Sequence, residues 1–113
     1  MILEKKDLVR AIERSCLVVR PHAHDEAHKD NLLLDEVYVS VIWGKIIEQA
    51  PARGENLPYC IVYGQSTTGR HIHSRWVYNP RSQLLTLHTV YDPSKTSWLW
   101  DDGYCKRRQL VFR

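Results

Sequence analysis

The chain has 113 residues, 43% apolar and 26% charged, which is the composition of an ordinary globular domain and excludes a disordered or fibrous polymer. A formal charge of +3, from 16 basic and 13 acidic residues, permits a polyanionic partner without demanding one. No apolar run approaches membrane-spanning length, and MILEKKDLVR carries charges where a secretion signal needs an apolar core, so no membrane association and a cytoplasmic location are expected.

Residues 3–16 place Leu8, Val9, Ile12 and Cys16 at spacings of three and four, with Lys5, Lys6, Arg10, Glu13 and Arg14 between them, which predicts an amphipathic helix. LVVRP then reads as a change of direction, because Pro21 disfavours helix in the residue before it. HAHDEAHK predicts two helical turns entered through Pro21. Residues 34–43 suit a third helix, with Asp35 as N-cap, Glu36 in the first turn and Gly44 as the stop, although Val37, Val39 and Val41 also alternate as in a strand.

After Gly44 the pattern changes to strands: KIIEQA, then the turn-rich APARGEN, then the apolar run YCIVYG, a QSTTG connection, and two arms within residues 70–93. The expected fold is α+β, a single domain over 1–113 with N-terminal helices on one face of a four-stranded antiparallel meander. The tail KTSWLWDDGYCKRRQLVFR suggests a docked loop with a short strand or helix. Cys16, Cys60 and Cys105 form no metal-type pair and are expected as free, mostly buried thiols.

The register of the hairpin in residues 70–93 decides which side chains share its open face. A loop at 79–82 would pair Tyr78 with Gln83 and set His73 opposite His88, with Ile72, Trp76, Leu85, Leu87 and Tyr91 facing the core. A loop one residue different, or a bulge, would instead bring Tyr91 to the face of His73. The apolar count favours the first arrangement.

Six histidines suggest two chemistries. His22, His24 and His28 lie close together, and His71 and His73 share one strand face, so a zinc site is conceivable; no His-Glu-x-x-His or Cys-x-x-Cys is present, and no metal ligand is assigned. The same residues could work without a metal or other cofactor. A histidine can exchange a proton near neutral pH, Arg75, Arg107 or Arg108 could stabilise charge on a phosphate, and tyrosines could orient a base. These are the parts needed for RNA cleavage by attack of a 2′-hydroxyl on its own phosphate. The plainer reading makes the KRR run a solvated face and the tyrosines core.

PHA, WGKIIE, PYCIVYG, IHSRWVY and HTVYDP followed by Trp98 resemble, in this order, a widespread small bacterial domain family of unknown function, whose pattern is TPHA, NGEIIE, PSCLVYG, PLHVVWAY and ITVYRP. The resemblance covers residues 20–108 and leaves 1–19 as a preceding helix. That family is distantly similar to RelE-like and BrnT-like toxins, ribonucleases held in check by an antitoxin protein. The resemblance implies a toxin-like fold, RNA as substrate and an antitoxin-like partner. It points to His22, His73 and Tyr91 as site positions, supported by Thr89, Trp98 and Arg108. Ser74 and Arg75 depart from the family's apolar pair, and His24, His28 and Lys29 stand where relatives carry helix arginines.

Three functions follow as expectations. The first is metal-independent endoribonuclease chemistry, with His22 or His73 as acid or base, Arg75 or Arg108 for phosphate charge and Tyr91 for positioning. The second is a non-catalytic module binding protein or nucleic acid, and the third a histidine-based metal hydrolase.

Overall fold

The structure is a computed structural model and describes residues 1–109. These residues form helices α1 (Lys5–Glu13), α2 (Pro21–Lys29) and α3 (Leu34–Ile42), and strands β1 (Leu17–Val19), β2 (Lys45–Ala50), β3 (Tyr59–Gln65), β4 (His71–Asn79) and β5 (Leu84–Tyr91), followed by a 3₁₀ segment, Pro93–Leu99. Among them no helix is long and apolar enough to cross a membrane.

The α+β reading holds, but the sheet differs from the expected four-stranded antiparallel meander. It has five strands in the order β1-β5-β4-β3-β2, and β1 runs parallel to β5. LVV, read as a change of direction, is this added strand: Leu17, Val18 and Val19 pair with Leu85, Thr86 and Leu87. Three residues are too few to show alternation, and the partner lies far along the chain.

Local chemistry explains the helix ends. Asp7 accepts the Glu4 N–H at 2.9 Å at the start of α1, and Pro21 opens α2, where its missing N–H costs nothing. The α3 cap is Leu33, not Asp35; Glu36 accepts the Leu33 N–H at 3.0 Å and Asp35 sits in the first turn. Gly44 does follow the helix, but close approach explains it best. A Cβ on Gly44 or Gly64 would overlap the Ser40 carbonyl oxygen, so both glycines let α3 lie against β3.

One sheet face builds the core. Cys60, Val62, Ile72, Trp76, Leu85, Leu87 and Val90 pack there with Leu8, Ala23, Ala27, Val37 and Val41 from the helices. Ser74 is buried on the same face, where its hydroxyl accepts the Trp76 indole N–H at 2.9 Å. Of the cysteines, free as expected, only Cys60 is sealed, and burial pushes its thiol up to about 12. Cys16 and Cys105 are half-buried, so "mostly buried" does not hold.

The hairpin register departs from the favoured arrangement in two ways. Tyr78 pairs with Leu85 and Asn79 with Leu84, so the loop is residues 80–83 and slides the ladder by two without exchanging faces. A bulge then intervenes: Trp76 pairs with Leu87 but Arg75 pairs with Thr89, leaving His88 as the extra residue. Beyond it the faces exchange, so His73 stands opposite Tyr91 rather than His88, and Tyr91 leaves the core face. Val90 takes the inward place and is fully buried.

Candidate functional site

Residues 93–108 cross the outer sheet face and turn it from an open surface into a layered one. The 3₁₀ segment begins where Asp92 accepts both the Ser94 N–H (2.9 Å) and the Ser94 hydroxyl (2.6 Å). Trp100 is sealed beneath the return of the chain, bridging in strand fashion to Arg107. Tyr104, at φ 57°, lays its ring 4.6 Å from that of His71.

This covering fixes the chemistry of His73. The side chain is fully buried, with the Trp100 ring edge-on at 4.3 Å. Nε2 lies 2.8 Å from the Tyr104 carbonyl oxygen, which can only accept, so Nε2 carries the proton. Nδ1 is then the bare nitrogen and accepts the Tyr91 hydroxyl at 3.2 Å. Burial lowers the His73 pKa to about 4, although the Tyr104 carbonyl pulls the other way. The ring is therefore neutral, and Tyr91 stands between it and the neighbouring cleft.

Tyr91 borders a cleft of about 480 Å³ between α2, the end of β5, the 3₁₀ segment and the returning chain. His22, Glu26, Lys95 and Arg107 also line it. Burial raises the Tyr91 phenol, Glu48 and Glu26 add to that, and Arg107 opposes it, so the hydroxyl keeps its proton. His22 is exposed, with Nε2 3.3 Å from Glu26 Oε1, an oxygen that is shielded from solvent and has no hydrogen-bond partner. Arg107 lies 2.7 Å from Glu48 and 4.9 Å above the Trp100 ring. Lys95 reaches Asp30 at 2.8 Å. Burial would raise the Asp92 carboxyl, but the two Ser94 hydrogen bonds and Arg70 hold it below its ordinary value.

Of the residues singled out from sequence, His22, Tyr91 and Arg107 share the cleft, with His73 behind Tyr91. Arg75 instead covers the Tyr59 ring at 4.3 Å, with Thr89 opposite it in the ladder. Arg108 is tied to the Trp100 carbonyl and, at 3.3 Å, to Asp102, while Trp98 projects 62% exposed; neither lines the cleft. Glu26 and Lys95 are cleft residues that sequence reasoning passed over. The signal for Glu26 was its place four residues after His22, on the same helix face. Among the described residues no three His, Cys, Asp or Glu side chains are grouped so as to hold a metal ion.

Comparison with curated proteins and with solved structures returned no match. The profile of DUF4258, described as a domain of unknown function, matches residues 19–92, which run from the end of β1 through α2, α3 and the whole of β2 to β5. That span holds His22, Glu26, His73 and Tyr91 and stops short of Arg107, and over it this chain belongs to the DUF4258 family.

Proposed function

We propose that this domain is a metal-independent endoribonuclease and that the cleft is its active site. The observation that carries the reading is the convergence of His22, Glu26, Tyr91 and Arg107 on one cavity, with Tyr91 oriented by the neutral, buried His73. His22, with the Glu26 carboxylate beside it, takes the proton of a 2′-hydroxyl. The freed oxygen forms a bond to the adjacent phosphorus, and the bond from phosphorus to the 5′-oxygen breaks. The leaving oxygen takes its proton from a water that Tyr91, its own proton held by His73 Nδ1, positions through its oxygen lone pairs, and His22 returns its proton to solvent. Arg107 faces the charge gathered on the phosphate oxygens. The products are a 2′,3′-cyclic phosphate and a 5′-hydroxyl. A toxin-like kinship and an antitoxin-like inhibitor belong to the same proposal.

The test is incubation of the purified protein with single-stranded RNA in the presence of a chelator. Cleavage leaving 2′,3′-cyclic phosphate ends is expected, with His22→Gln slower by about 10²–10⁴-fold. RNA left intact by the wild-type protein would remove the reading.

A second reading, a non-catalytic binding module, is favoured by one observation: Arg107 and Lys95 already have carboxylate partners at 2.7 and 2.8 Å. It predicts a bound partner that co-purifies equally well with wild type and His22→Gln.

A further inference from the structure

The bulge that turns Tyr91 outward also exposes a group of side chains outside the cleft. His88 is the extra residue of the bulge, and Arg20, the residue capping α2, brings Nη1 to 3.2 Å from His88 Nδ1. A guanidinium can only donate, so Nδ1 accepts and His88 carries its proton on Nε2. Arg75, one strand over, pairs with Thr89 beside the bulge; burial lowers the His88 pKa, and the charges of Arg20 and Arg75 add to that.

This group is rich in donors and poor in acceptors. Among the described residues neither Arg20 nor Arg75 has a carboxylate within ion-pair distance, whereas Arg70, Arg107 and Arg108 each have one. The Arg75 guanidinium makes no hydrogen bond within the described residues; its plane rests on Tyr59. The two guanidiniums carry like charge on one side of the sheet, and an anion with several acceptor oxygens would meet both of them together with the His88 Nε2–H. The group is also close to the cleft. His88 and Tyr91 are three residues apart on β5, about 10 Å at strand rise.

We propose that Arg20, Arg75 and His88 form a phosphate-binding site for the backbone of a single-stranded RNA as it leaves the cleft. The choice of RNA rests on the ribonuclease reading; the preference for phosphate rests on the donor geometry. Contacts to successive phosphates set the strand's register across Tyr91 and carry no base preference.

A 2′-O-methyl oligonucleotide separates this site from the chemistry, because it lacks the attacking hydroxyl and is bound without being cut. Its affinity is measured by fluorescence anisotropy across a range of salt concentrations. Arg20→Gln and Arg75→Gln are each expected to weaken binding and to reduce the slope of log K against log salt by about 0.7, the double variant by about twice that. Arg20→Lys and Arg75→Lys keep most of the slope, which separates charge from folding. The His88 ring resonance should titrate at higher pH with oligonucleotide bound, and inorganic phosphate should move it part of the way. No binding by wild type, or equal slope and affinity in the double variant, overturns the site. So does a full His88 response to inorganic phosphate with none to the oligonucleotide, which would mark a free-phosphate site. Binding that depends on both arginines in a protein that leaves ordinary RNA intact supports the site and removes the catalytic reading.

Discussion

Tyr91 and His73 stand opposite each other on β5 and β4, the phenol oxygen 3.2 Å from Nδ1. The bulge at His88 puts them there. On the loop side of it Leu85 and Leu87 point into the core, and beyond it Val90 does so, which frees Tyr91 to face the cleft. The histidine is a fixed acceptor, and the tyrosine is the group that faces the cleft.

Acid should expose the cost of sealing that ring. A free imidazole titrates near 6.5 and His73 near 4, so between these values the unfolded chain binds a proton that the folded one refuses. The stability held by the neutral ring is whole above pH 6.5 and is lost as pH falls toward about 4, by about 3 kcal/mol. His88, also lowered, acts in the same direction. Urea midpoints across this window should fall steeply for wild type and less steeply for His73→Gln. Parallel curves would refute the assignment.

Tyr91→Phe removes the hydroxyl that reaches His73 Nδ1 and leaves a buried acceptor unmet. A loss of about 1–3 kcal/mol is expected in chemical denaturation. The Tyr104 carbonyl still fixes the proton on Nε2, so the His73 ring nitrogens should keep their tautomer by NMR.

Gly64→Ala would drive a methyl group into the Ser40 carbonyl and push α3 off β3. Destabilisation of at least about 1–3 kcal/mol is expected from such overpacking, read as a lowered thermal midpoint. An unchanged midpoint would mean that α3 shifts freely.

Arg70 ties two pieces of the cleft rim together, the end of α2 and the end of β5. Its guanidinium donates to the Asn31 carbonyl at 2.8 Å, the Asp30 carbonyl at 2.6 Å and the Asp92 carboxylate at 3.4 Å. Arg70→Gln should cost about 1–3 kcal/mol and speed amide exchange at Ser94 and Lys95, where the 3₁₀ segment starts. Exchange unchanged at both amides would show that the Ser94–Asp92 bonds hold that turn alone.

Elements with their own periodicity were legible in the sequence. The three helices and the strands at KIIEQA and YCIVYG lie within a few residues of where their apolar spacing puts them. The register was not, because LLTLHTVY supports inward Leu85 and Leu87 together with either an inward Tyr91 or an inward Val90. A bulge supplies both halves, and its signal lies in backbone pairing rather than residue type. The site was legible in part for a similar reason. Arg75, Arg107 and Arg108 are alike as residues, and only the path of the chain past Trp100 delivers Arg107 to the cleft.

The short parallel strand carries a consequence for the order of assembly. Leu17 pairs with Leu85, and Arg20 meets His88 from 68 residues away, so the N-terminal segment has no sheet partner until nearly all of the strands exist. Closing so long a loop is slow compared with forming the β3–β4 and β4–β5 hairpins. During synthesis, β1 and the end of α2 nearest it should therefore be the last parts to become resistant to protease, and a ribosome-bound chain halted before Leu84 should expose Leu17 and Val19 to chaperones.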